Sequence, residues 1–205
     1  MTRTFDEWFE ILIQLGVKPA TATAWAPAFS EVIVDGVFSA GDKDLEDFLG
    51  QVLHESGHLE HLEESLSYSA ERLCQVWPSR FPSVSAAAPY ARNPEALANK
   101  VYGGRMGNTK PGDGWRNRGS GLIQITGADN LRAVQAVTGI PVYDNPDLLR
   151  RPTADALRVC VAWWEGHIPD GILGDVAKVT RRVNGGSIGL DDRQAITDAA
   201  REVLG

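Results

Sequence analysis

The sequence predicts a mainly α-helical domain with a loop-rich insert that forms one side of a groove. Three observations lead there. Apolar residues recur at helical spacing in both halves of the chain, strand patterns are nearly absent, and the stretch from Trp77 to Gly121 is dense in Pro, Gly, Ser, Asn and Arg. With 205 residues and 43% hydrophobic content, the chain suits one globular domain with two lobes around a cleft. The expected layout is a single domain over 1–205, with a large helical lobe from 1–68 and 120–205 and a smaller loop-rich lobe over about 69–119.

The elements follow in order. Thr4 and Glu7 have capping-box spacing, Phe5, Trp8, Phe9, Leu12 and Leu15 form an apolar stripe, and Gly16 is a stop. Pro19 opens a second helical pattern that runs through Trp25, Phe29, Ile33 and Val37. Asp42 is a candidate cap for a third, whose stripe is Leu45, Phe48, Leu49, Val52 and Leu53. The loop-rich middle is broken by short helices near Ser69–Val76 and Pro94–Val101. "GLIQIT" is the one short strand-like run. Helical patterns return in "DNLRAVQAVTG", in "PTADALRVCVAWWEGH" with Pro152 at its start, and in "LDDRQAITDAAREVLG". There is no internal repeat and no low-complexity tract.

Bulk properties narrow the function. A formal net charge of −7 argues against a general nucleic-acid binder, which carries a basic excess. Local patches can still meet an anionic substrate. Cys74 and Cys160 are too few for a disulfide framework or a Cys-rich zinc site and read as buried free thiols. "MTRTFDEWFEILIQLG" carries Asp6, Glu7 and Glu10 and lacks the pattern of a signal peptide. No stretch reaches the roughly 20 apolar residues of a membrane span. The expectation is a chain made in the cytoplasm, which would need another agent to release it.

"LHESGH", Leu53 to His58, carries the chemical question. His54-Glu55-Ser56-Gly57-His58 fits H-E-x-x-H, the pattern of a zinc peptidase. That reading needs both histidines on one face of an unbroken helix and a third ligand, and Gly57 interrupts the turn. On a helical wheel His54 points to solvent, opposite the stripe, while Glu55 lies on the edge of the stripe near Phe48. Partial desolvation and the negative end of a helix dipole both favour the protonated form of a carboxyl group. Such a group suits general acid catalysis. Glycoside hydrolysis commonly needs a second carboxylate, and Glu60, Glu63, Glu64 and Glu71 all follow within "HLEHLEESLSYSAERL". Residue chemistry alone does not choose among them.

The segments "VLHESGHLEHLEESLSYSAERLCQVWPSRFP", "YARNPEALANKVYGGRMGN", "GDGWRNRGSGLIQITGADNL" and "VTRRVNGGSIGLDDR" resemble glycoside hydrolase family 19. The resemblance is greatest to its bacterial and phage branch of chitinase-like endolysins, and it runs almost continuously from Phe48 to Leu131. It implies a mainly α, lysozyme-like fold and no cofactor or metal. Glu55 matches the family's general acid and Glu64 the general base of the endolysin branch. Thr126 takes the place of the Ser or Thr that helps hold the attacking water. Gln124 and Asn130 match substrate-binding positions on the cleft floor, and Asn184 another cleft position. Arg193 resembles an arginine, grouped with the substrate-binding set, that supports the acidic centre. Tyr68 and Trp115 are candidate sugar-stacking or cleft-wall residues.

The implied mechanism is inversion, with the two carboxyl groups about 6.5–9.5 Å apart to admit a water. The implied activity is that of a lysozyme or muramidase on the β-1,4 bonds of peptidoglycan, acting as a bacteriolytic monomer in phage or prophage lysis. His58 departs from the usual "HESGG" or "HESGF", and Ser65 and Ser67 replace the asparagines of "ENLNY". The plant-type acidic residue after "NGG" is replaced by "SIGL", which favours the endolysin branch. A chitinase, a zinc peptidase and a non-catalytic glycan-binding module are the alternatives.

Without the resemblance, Gln124, Thr126 and Asn130 read as ordinary polar groups, Asn184-Gly185-Gly186 as a turn, and Trp163-Trp164 as core. Arg80, Arg105, Arg116 and Arg118 can meet an anionic polymer, although isolated arginines more often pair or snorkel at a surface.

Overall fold

The structure, a computed structural model, describes residues 2–205. Among them the regular structure is helical, with no strand beyond two isolated bridges, Glu63 with Ser120 and Ser120 with Ile125. The helices are α1 (Phe5–Gln14), α2 (Pro19–Val32), α3 (Asp42–Glu55), α4 (Ala70–Val76), α5 (Val84–Ala87), α6 (Pro94–Tyr102), α7 (Asp113–Arg116), α8 (Ala128–Thr138), α9 (Ala154–His167), α10 (Val176–Asn184) and α11 (Leu190–Leu204). Among the described residues no helix is long and apolar enough to cross a membrane.

Local chemistry accounts for most ends. Thr4 accepts from the Glu7 backbone N–H, and the Glu7 carboxylate accepts from Thr4 N, which completes the capping box. Ser69, Asn93 and Thr153 cap α4, α6 and α9 through their side chains. Several expected boundaries move. Helix α2 stops at Val32, so Val37 lies beyond it in the loop. Asp42 is the first residue of α3, and Gly41 is its N-cap. Pro152 precedes the Thr153 cap and lies outside α9. "GLIQIT" is a tight turn, not a strand, because Ser120 and Ile125 pair with each other across it.

The main core gathers α1, α2, α3, α9, α10 and α11. Its aromatic centre includes Trp8 against Phe29, with centroids 4.9 Å apart, and Phe48 edge-on to Trp164 at 5.5 Å. Trp164 is buried, as core predicts, and its indole donates to Asp44 at 2.8 Å. Helix α3 runs through this core against α11. The contact is so close at Gly50 that a Cβ there would sit 1.9 Å from Thr197 Oγ1. A second cluster draws on residues between Leu66 and Trp115 and contains Leu73, Phe81, Leu97 and Val101. A third, under α8 and α9, holds Ile125, Leu131, Val142 and Val159. Cys160 is buried and Cys74 half-buried, and both are free.

Candidate active site

Helix α3 ends at Glu55 for reasons written in the next four residues. The Ser56 hydroxyl donates to Val52 O and accepts from Leu59 N. Gly57, His58 and Leu59 all have positive φ, at 55°, 57° and 68°. The chain therefore reverses sharply, and His58 N reaches back to Leu53 O at 2.7 Å. The Glu55 side chain is left about a quarter exposed at the helix end.

Behind it lies Arg193, projecting from the first turn of α11 and only 2% exposed. One guanidinium nitrogen donates to Glu55 Oε1 at 2.5 Å, the second to Gln51 Oε1 at 2.6 Å, and Nε to Ile188 O at 3.2 Å. Arg193 thus lies behind the Glu55 carboxylate, on the inside of the protein. This charge-assisted contact is one that the helix wheel did not contain. Asn184 acts one step further back. Its amide donates to Ile188 O and its Oδ1 accepts from Gly186 N, which shapes the turn that meets Arg193 Nε. Asn184 itself is exposed, at the C-terminal end of α10.

His54 is not the solvated side chain of the wheel. It is half-buried and lies 2.6 Å from the Asp192 carboxylate of α11. With α3 ended and His58 in the left-handed region, the two histidines do not share a helical face, which removes the geometry that the zinc pattern needs. Among the described residues no group of three or more His, Cys, Asp or Glu is placed to hold a metal ion.

Glu64 belongs to a different support. Its backbone N–H donates to Gly119 O, Gly121 N donates to Leu62 O, and the segment around Glu63 is thereby stitched to the turn of Gly119–Thr126. Its carboxylate accepts from the Tyr102 phenol at 2.6 Å and from Gly119 N at 3.3 Å. Burial first, and then the hydrogen bond to Glu64, push the Tyr102 phenol well up. Gly119 has no room for a side chain. A Cβ would lie 2.8 Å from Gln124 Oε1 and 3.1 Å from Glu64 Cβ.

Gln124, Thr126 and Asn130 form one hydrogen-bonded run, in which Gln124 lies across Gly119 from Glu64. Gln124 holds a left-handed backbone at φ 54° and donates to Gly121 O. The Thr126 hydroxyl donates to Gln124 O at 3.0 Å, which leaves its oxygen lone pairs free to accept from a water. Asn130, exposed, donates to Thr126 O at 2.7 Å. The loop between the two glutamates is itself tied, with His61 N donating to Ser56 O and His61 O facing Gln124 Nε2 at 3.4 Å.

Tyr68 and Trp115 lie elsewhere, half-buried against the second cluster. Tyr68 packs edge-on to Trp77 at 5.5 Å, and the Arg118 guanidinium covers a face of Trp115 at 3.6 Å. The rings of both are already partnered. Sequence reasoning missed Tyr102, Gly119 and Gln51. Tyr102 lies within one of the segments that carried the resemblance, but nothing in its local pattern marked it out.

The comparisons bear on this geometry. No family model matches the chain. A protein from Haemophilus influenzae described as a "Glycosyl hydrolase family 19 domain-containing protein" is 40% identical over 148 residues, 71% of this chain and 72% of that protein. The chain belongs to glycosyl hydrolase family 19. It is a glycosidase of that family, and the zinc peptidase reading of "HESGH" falls. Chitinase C from Streptomyces griseus HUT6037 superposes with a TM-score of 0.53 at 16% identity, over 98% of this chain and 92% of its own. A single-substitution mutant of that chitinase gives the same TM-score over 100% and 93%. At that identity the match concerns the fold, which is mainly α and lysozyme-like.

Proposed function

We propose that this family 19 glycosidase is an endolysin-type enzyme that cuts β-1,4 bonds of bacterial peptidoglycan by an inverting acid/base mechanism. The observation that carries the mechanism is the unequal support of two carboxyl groups. Glu55 is backed by a buried cation, whereas Glu64 is held by a phenol and a backbone N–H.

In this reading Glu55 protonates the leaving glycosidic oxygen, and Arg193 stabilises the carboxylate that results. Glu64 accepts a proton from a water that attacks the anomeric carbon from the opposite face. Tyr102 and Gly119 keep the Glu64 carboxylate aimed at that water, and Thr126 accepts a hydrogen bond from it. Gln124, Asn130 and Asn184 line the sugar path, with Tyr68 and Trp115 in its wall. No step requires a metal. The cell wall is the site of action, reached after release of the chain, and the unit is a monomer. Support for peptidoglycan comes from the resemblance to the endolysin branch and from "SIGL" following Asn184-Gly185-Gly186.

The test is mass spectrometry of soluble products from purified peptidoglycan digested in excess EDTA. New reducing sugar ends with intact stem peptides are expected, and the end sugar identifies the bond cut. Glu55→Gln and Glu64→Gln should each abolish those products. Release of products from chitin oligomers but not from peptidoglycan would replace this reading with a chitinase.

A further inference from the structure

Charge is distributed very unevenly along this acidic chain. Residues 69–119 carry eight Lys and Arg against three Asp and Glu, whereas the remainder carries twelve against twenty-four. The small lobe is therefore net positive by five and the rest net negative by twelve. Two of the eight cations are engaged at the junction with the large lobe. Arg118 pairs with Glu63, and Arg116 donates to the carbonyls of Tyr143 and Asp144. None of the other six has an ion-pair partner among the described residues. Arg92, Lys100, Arg105 and Lys110 are exposed. Unneutralised like charges on a small body repel one another, and they create a field that steers anions.

Two of these cations lie close to residues named in the candidate site, Tyr68 and Tyr102. Arg92 donates its backbone N–H to Tyr68 O at 2.8 Å. Arg105 follows Tyr102 by three residues, close enough for its charge to act on the phenol that holds Glu64. A lipid surface is a poor match, because insertion needs large apolar side chains beside the cations. The exposed large apolar residues of this lobe are only Val76 and Val84, while its aromatic rings pack against its own cluster.

We propose that the small lobe is an electrostatic docking surface for the carboxylates of peptidoglycan stem peptides, with Arg92 and Arg105 meeting those nearest the cleavage site. This inference rests on the peptidoglycan reading above and adds what selects a charged glycan over a neutral one.

Co-sedimentation of the full chain with purified peptidoglycan sacculi tests it without requiring turnover. Binding should weaken steeply between about 0.05 and 0.5 M salt, as screening shortens the reach of each charge to a few ångströms. The doubly substituted protein, Arg92→Gln with Arg105→Gln, should bind roughly tenfold more weakly at low salt and show a shallower salt dependence. Sacculi whose carboxylates have been amidated should hold the unsubstituted protein no better than native sacculi hold the variant. Lys100→Gln with Lys110→Gln gives a second readout should the first pair fail to fold. Equal binding by variant and parent overturns the proposal, as does binding that survives amidation. Tighter capture by anionic phospholipid vesicles than by sacculi overturns it as well. Salt-sensitive binding to sacculi without release of reducing ends would leave the docking surface standing and remove the cleavage reading instead.

Discussion

Arg193→Ala is the perturbation whose consequences the structure defines most fully. The guanidinium is 2% exposed and holds three acceptors at once: Glu55, Gln51 and the Ile188 carbonyl. Its removal strands a partly buried carboxylate and a buried amide oxygen. Breaking a buried ion pair by deleting one partner costs about 3–5 kcal/mol. Glu55 is a quarter exposed, so water recovers part of the loss and the lower end, about 3 kcal/mol, applies. For a chain of this length, each kcal/mol moves the thermal midpoint by roughly 2–4 °C, so a fall of about 6–12 °C is expected. Arg193→Lys keeps the charge but not the fork that spans three acceptors, and should lie between the two proteins. Turnover by the folded fraction should drop on the order of 100-fold, since the support of the developing carboxylate is gone. Differential scanning calorimetry, together with initial rates below the midpoint, measures both. A midpoint within about 2 °C of the parent would refute the energetic argument. A lower midpoint with undiminished turnover would show that Arg193 holds helices together and nothing more.

Three further outcomes follow. Tyr102→Phe removes one donor from the Glu64 carboxylate and should lower kcat about tenfold with little change in KM; in a Glu64→Gln background the same substitution should add no further loss. Gly119→Ala places a methyl between Glu64 and Gln124 and should reduce kcat more than it reduces thermal stability, measured by initial rates and calorimetry. Asp47 is buried, and burial raises its carboxyl above the ordinary value, with the Gly174 N–H and Arg201 opposing this only in part. A raised native value means that the favourable contribution is present below the unfolded value of 3.8 and lost as pH rises through the native one. Asp47→Asn should therefore stabilise the fold at neutral pH and do so less near pH 3, as read from urea unfolding at both.

The sequence by itself determined the helical framework and the position of the candidate acid Glu55. Capping at Thr4, the stripe of Leu45 to Leu53 and the stop at Gly57 are local signals. They depend on a repeat of about 3.6 residues and on backbone preferences that each residue expresses wherever it lies. Glu55 could be placed at the end of α3 on those grounds alone. The second carboxylate could not, because Glu64 sits in an extended segment with no period and among other glutamates. Its choice came from resemblance, and its surroundings came only from the folded chain. Tertiary structure decided that Arg193, 138 positions away, backs Glu55, and that Tyr102 and Gly119, 38 and 55 positions away, hold Glu64. It also turned "GLIQIT" from a strand into a loop and drew His54 from solvent to Asp192. The physical reason is shared. Helix formation is governed by neighbours three or four residues apart, whereas a hydrogen bond between residues distant in sequence depends on the path of everything between its partners. The positive charge of residues 69–119 lies between these cases: its count is plain in the sequence, but only the fold brings Arg92 N–H to Tyr68 O and the charge of Arg105 near the Tyr102 phenol.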